Sequence, residues 1–188
     1  MKFEKLRKSL QEAPIIKIGD YDYVIHPITD GIPMIESGLL REITTELKKL
    51  VKQCGWVDRI VTMDAMGIPL ATALSLELDI PFTIIRKKEY KLPGEVAVEQ
   101  VTGYSKAKMF VNGLRKGDHI VIVDDVLSTG GTLRAVLSVL KKIGVVVEGV
   151  FIVIYKGKCI ESIMKESNVV IKALITIDVR DGHVVFLS

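Results

Sequence analysis

Cysteine is scarce: Cys54 and Cys159 are the only two in 188 residues, without metal-ligand spacing. That excludes a disulfide framework and makes a reduced, cytoplasmic setting the expectation. Long apolar runs are also missing. None reaches the roughly 20 residues that cross a bilayer, and Glu148 interrupts the best candidate, so the positive mean hydropathy implies a large core and no membrane. The first residues, MKFEKLRKSLQEAP, form a charged amphipathic stretch rather than a secretion signal. Charge of one sign is not in excess either. A formal net charge of +3 is too small to argue for nucleic acid. There is no linker, repeat or low-complexity segment. With 48% hydrophobic and 26% charged residues, the chain is expected to form one globular domain over 1–188, with no room for an appended one.

What is there centres on VIVDDVLSTGGT, residues 121–132. His119–Val123 has the β-branched character of a buried parallel strand. Downstream, apolar residues at 133, 136, 137, 140 and 143 have helical spacing, and Gly144 suits a C-cap. Asp124, Asp125 and the tract Ser128-Thr129-Gly130-Gly131-Thr132 are therefore expected between strand and helix, at the sheet edge where α/β proteins bind ligands. Glycines free the backbone amides, the helix N-terminus adds positive charge, and the hydroxyls add donors. The loop reads as a phosphate cradle. It lacks the lysine of a Walker A motif after Gly131, and the Gly-x-Gly-x-x-Gly spacing of a dinucleotide fingerprint is absent. Acids beside a phosphate cradle suit a ligand with hydroxyls, or one whose reacting carbon becomes positive, and a ribose 5-phosphate meets both requirements.

Strand candidates at 22–26, 58–63, 82–86, 107–111, 119–124 and 146–155 alternate with helical stretches near 37–53, 67–78, 131–143 and 158–166. This alternation predicts an α/β fold with a mostly parallel twisted sheet flanked by helices. The tail, with Asp181-Gly182 between 173–179 and 184–187, reads as a hairpin.

The strand, Asp124-Asp125, two apolar residues, a small residue and Thr129-Gly130-Gly131-Thr132 closely resemble the phosphoribosyl pyrophosphate signature of type I phosphoribosyltransferases. The resemblance implies transfer of ribose 5-phosphate from phosphoribosyl pyrophosphate to a base, with Asp124 and Asp125 on the ribose hydroxyls. It also implies Mg²⁺, held through water by those two aspartates. Residues 85–94, IRKKEYKLPG, resemble a segment of the adenine-type enzymes, and likeness to that branch covers most of the chain. By that likeness Lys87 and Lys91 contact pyrophosphate, and Arg86 reaches a neighbouring subunit's site, which implies a homodimer. Ala65-Met66-Gly67 matches a loop that grips pyrophosphate through its backbone, with Ala65–Met66 as the matching cis bond. Residues 94–107 match a flexible lid, with Tyr104-Ser105 as its dipeptide, and about 1–35 match a small hood over the base.

The base itself is the open choice. Adenine-type members have arginine where Met66 stands and glutamate where Gly103 stands. Lys156 lies near where 6-oxopurine enzymes place a lysine toward O6, although those enzymes have a third acid where Ser128 stands. A keto oxygen wants a donor and adenine's amino group an acceptor, so Lys156 favours hypoxanthine or guanine. Read as a solvated helix-flanking lysine, it says nothing. His26 falls in the hood segment, as a base contact or as a structural histidine. The pattern most resembles the archaeal purine phosphoribosyltransferases, adenine-like in sequence and including hypoxanthine/guanine enzymes. An adenine enzyme is the alternative. An orotate enzyme and a transcriptional regulator sensing phosphoribosyl pyrophosphate stand further off.

Overall fold

The computed structural model describes residues 3–19, 21–101 and 106–187. The amphipathic start forms helix α1 (Glu4–Gln11), followed by a hairpin of β1 (Ile15–Ile18) and β2 (Tyr21–Val24) and a single turn, α2 (Pro27–Asp30). Then come α3 (Ser37–Val51), β3 (Arg59–Met63), α4 (Gly67–Leu78) and β4 (Phe82–Ile85). A second hairpin, β5 (Val96–Val101) and β6 (Lys106–Val111), leads into β7 (His119–Leu127). The rest is α5 (Gly131–Ile143), β8 (Val146–Tyr155), α6 (Ile160–Ser167), β9 (Ile171–Arg180) and β10 (His183–Leu187).

Six strands make the central sheet, in the order β10-β9-β8-β7-β3-β4, parallel except for β10 at one edge. Side chains alternate across it. Val121 and Val123 face a core with α1, α3 and α4, whereas Ile120 and Ile122 face a second core with α5, Ile163 of α6 and the β5–β6 hairpin. Helix α5 buries Leu133, Val136, Leu137 and Leu140, the one stripe its spacing predicts, and ends at Gly144. Fully burying each such side chain contributes roughly 1.5–3 kcal/mol.

The chain steps from β3 to β4 in one direction and from β7 to β8 in the other. The reversal falls between β3 and β7, so the loops leaving both strands open at one crevice of the carboxyl edge, the usual ligand position in such sheets.

Three expectations are corrected. Strand β7 runs on to Leu127, so Asp124 and Asp125 lie within it and not beyond it; Asp124, Val126 and Leu127 pair with Ile152, Ile154 and Tyr155. Most of 94–107 is strand rather than a long loop, because Val98 is buried against the same core as α5 and β6 completes the pairing. The non-proline cis peptide is Asp64–Ala65, one bond before Ala65–Met66, in the turn between the last residue of β3 and the first of α4.

Candidate active site

Leaving β7, residues 128–130 turn sharply into α5. Gly130 is its N-cap at φ 77°, and a Cβ there would meet Ile163 Cδ1 at 2.6 Å and Cys159 Sγ at 2.9 Å. Glycine is required by both conformation and space. No side chain caps this helix, and its first turn holds no acid. Its amides and the positive end of its dipole therefore face a cavity of about 90 Å³ lined by Ser128–Thr132, Asp124 and Met63.

A second cavity, about 390 Å³, adjoins the first and is lined by Asp64, Ala65, Lys87, Lys108, Asp124, Asp125 and Thr132. Helix α4 begins against it. A Cβ on Gly67 would fall 1.9 Å from Thr62 Oγ1 and 2.6 Å from Asp124 Oδ1, so only glycine lets this turn approach the acid. Asp124 leans toward Gly67 and the phosphate loop, whereas Asp125, 8% exposed, feels Asp30 of the hood. Burial pushes both carboxyls up, Asp125 to about 6 and Asp124 well above the ordinary range, with the charge of Asp125 adding to the effect on Asp124.

The third cavity, about 290 Å³, lies under the β1–β2 hairpin. Its walls are largely apolar, with Tyr21, Tyr23, His26, Thr29, Ser128, Thr129 and Lys156 as the polar groups. Lys156 Nζ donates to the carbonyl of Asp22 and stands 4.0 Å from the centre of the Tyr21 ring. The Tyr23 hydroxyl donates to Asp30 Oδ1 at 2.6 Å, and that bond, with burial, pushes the phenol up to about 12. On Asp30 burial acts upward, but hydrogen bonds from Thr29, Tyr23 and the His26 amide outweigh it and hold the carboxyl below its ordinary value. A larger cavity, about 490 Å³, lies behind the loop between α5 and α6 and touches neither acid. Chemistry puts the site at the three connected cavities.

Residues 34–184 match the family model described as a phosphoribosyl transferase domain. The chain belongs to the phosphoribosyltransferase family. It is 52% identical over 181 residues to a hypoxanthine/guanine phosphoribosyltransferase of Methanocaldococcus infernus, covering 96% of this chain and 98% of that one. A protein of the same name from Methanobacterium lacus is 50% identical over 182 residues, covering 97% and 95%. Among solved structures, adenine phosphoribosyltransferase from Thermoanaerobacter pseudethanolicus superposes with a TM-score of 0.75 at 21% identity, covering 93% of this chain and 99% of that one. The Leishmania tarentolae adenine enzyme gives 0.76 at 19%, covering 94% and 88%. At such identities the likeness shows the fold.

In this phosphoribosyltransferase, Asp124, Asp125, Ser128, Thr129, Gly130, Gly131, Thr132, Ala65 and Lys87 line connected cavities. Met66 packs its methyl group toward Gly31 of the hood. Arg86 pairs with Asp64 at 3.1 Å within its own chain. Lys91 stands apart, at φ 56° with its amide on Glu95. Tyr104, Ser105 and Gly103 lie outside the described residues. Sequence reasoning missed Lys108, whose signal was the alternation of Lys106 and Lys108 at the start of the 106–111 stretch, and missed Tyr21 and Tyr23, whose signal was an aromatic pair alternating just before His26.

His26 is 1% exposed, and both ring nitrogens are engaged. Nδ1 accepts from the Ile28 amide at 3.2 Å, which puts the ring proton on Nε2, 2.8 Å from Ser9 Oγ. Burial pushes its pKa down to about 4 from 6.5. The folded state thus binds fewer protons than the unfolded state between these values. The stability tied to neutral His26 is complete above pH 6.5 and is lost as the pH falls toward 4, about 3 kcal/mol across that window. Asp125, raised to about 6, acts with the opposite sign over part of the same range. The comparison of wild type with His26→Asn, which keeps an N-cap acceptor without a titrating ring, removes that contribution. Urea unfolding at pH 7 and pH 4.5 should show the wild type losing more stability than the variant. An equal loss in both proteins overturns the assignment.

Proposed function

We propose that this phosphoribosyltransferase converts hypoxanthine and guanine to IMP and GMP, using phosphoribosyl pyrophosphate and releasing pyrophosphate, in purine salvage. The observation that carries this reading is the row of three cavities: an apolar one with a lysine donor, one with paired acids, and a phosphate cradle. Relatives of nearly full overlap and about half identity are named hypoxanthine/guanine phosphoribosyltransferase.

In the proposed reaction the bond from ribose C1 to the pyrophosphate oxygen breaks, its electron pair leaving with pyrophosphate, as a purine nitrogen bonds to C1 and the purine's imidazole proton passes to solvent. Positive charge develops on the ribose, and Asp124 and Asp125 stabilise it while accepting from the 2- and 3-hydroxyls. A ligand carrying hydroxyl donors or positive charge favours the ionised acids against the burial that raises them. Lys87 and Lys108 balance the pyrophosphate, and the amides of Thr129–Thr132 hold the 5-phosphate. Ala65, Met66 and Gly67 take the pyrophosphate through their backbone.

Among the described residues no cluster of three or more His, Cys, Asp or Glu side chains could hold a metal alone. Two adjacent carboxylates with hard oxygen donors fit Mg²⁺ that keeps most of its coordination for water and substrate. When bound, it would neutralise charge on the leaving pyrophosphate. Among the described residues no helix is long and apolar enough to cross a membrane, which is compatible with the proposed cytoplasmic setting. A homodimer belongs to the same reading, and sedimentation at assay concentration decides it.

Pyrophosphate release measured with hypoxanthine, guanine, adenine and orotate tests the proposal. Release with the two 6-oxopurines well above that with the other bases is expected. Release with adenine or orotate alone overturns it.

A further inference from the structure

We infer that Arg134 is a positioning residue that aims the amides of the phosphate loop. The inference rests on the reading above, in which residues 128–132 hold the 5-phosphate. Two successive carbonyls of this loop are tied backwards, toward the α6 side. The Ser128 carbonyl accepts from Cys159 Sγ at 3.1 Å, and the Thr129 carbonyl accepts from Arg134 Nη1 at 3.3 Å. Gly157 presses on the same wall, where a Cβ would fall 2.3 Å from the Ser128 oxygen.

In a planar trans peptide the carbonyl and the next amide point in opposite directions. With the Ser128 and Thr129 carbonyls held toward α6, the amides of Thr129 and Gly130 are turned away from it. That is the side of the cavity the loop lines together with Asp124 and Met63. Arg134 can hold its carbonyl because its other nitrogens are fixed. Nε donates to Glu166 Oε2 at 2.8 Å and Nη2 to Ser162 Oγ at 2.6 Å. A guanidinium presents these donors in one rigid plane, so fixing two of them orients the third. The side chains of Arg134 and Glu166 are 34% and 53% exposed, and a pair so exposed contributes little to stability. Its effect therefore appears in ligand affinity and not in the melting temperature.

The test is steady-state kinetics of Arg134→Met, which keeps the bulk and removes the fork. The KM for phosphoribosyl pyrophosphate should rise about tenfold, with kcat and the KM for the base within about twofold of wild type. An unchanged KM for phosphoribosyl pyrophosphate, or an equal rise in both KM values, overturns the inference. Should Arg134→Met melt below the assay temperature, Glu166→Gln replaces it. It loosens the same fork from exposed α6 and should raise the same KM about two- to threefold, and no change refutes the role. Thr132→Val separates this inference from the reading it rests on. If Thr132→Val raises that KM and Arg134→Met does not, only the role of Arg134 fails. If Thr132→Val leaves it unchanged, the phosphate reading of the loop fails.

Discussion

Asp124→Asn combined with Asp125→Asn should lower kcat about a hundredfold or more while leaving the fold intact. Both acids sit on the central strand of the sheet beside the cavity in which ribose charge is proposed to develop. Preorganised negative charge there acts most strongly as the bond to pyrophosphate breaks, so its removal falls mainly on kcat. The fold should survive for a physical reason: burial already pushes both carboxyls toward their neutral form, and asparagine is a neutral group of the same shape. The melting temperature at neutral pH should therefore equal or exceed that of wild type. Pyrophosphate release and thermal unfolding on one preparation check both halves, and near-normal turnover overturns the assigned role.

The elements legible in the sequence are those whose signal is local. Helix α5 showed its face at 133, 136, 137 and 140, and β7 and β8 read as apolar runs because both of their faces are buried. The Asp181-Gly182 turn announced the final hairpin. Strand β1 was not legible, since Ile15-Ile-Lys-Ile is mostly exposed and is held only by its pairing with β2. Residues 96–101, VAVEQV, mix polar and apolar positions, and pairing with β6 together with the contact of Val98 with a distant core makes them strand. The cis bond lies one position before the one implied by the resemblance.

The site divides the same way. Asp124-Asp125 and Thr129–Thr132 form one continuous string, so the sequence displays them together. Lys108 shares a cavity with Asp64, and Tyr21 meets Lys156, pairs brought close only by the fold, whereas Arg134 meets Thr129 across the turn into α5. His26 illustrates the limit of type alone. A histidine in the hood segment reads equally as a base contact or as a structural residue, and the fold both engages its nitrogens with Ser9 and Ile28 and sets it in the wall of the cavity under the hairpin.

Lys156→Ala should lower kcat/KM for hypoxanthine about 10- to 100-fold and lower that for adenine much less. The ammonium of Lys156 lines the largely apolar cavity under the hood, where it donates to the Asp22 carbonyl and covers the face of Tyr21. A 6-oxopurine entering this cavity offers O6 as a further acceptor, so the lysine can turn from one carbonyl oxygen to another without losing a partner. Adenine presents an amino group at that position, which sets donor against donor and leaves the ammonium with the Asp22 carbonyl alone. A charge-assisted bond in a closed site is worth roughly 1.5–3 kcal/mol, which corresponds to the stated loss. Alanine also removes the contact with the hood, and adenine serves as the control, because loosening of the hood would penalise every base alike. Wild type and variant should therefore be assayed with hypoxanthine, guanine and adenine at saturating Mg²⁺ and phosphoribosyl pyrophosphate. A wild type that prefers adenine, or a variant that loses all three bases equally, removes Lys156 as the group that selects the base.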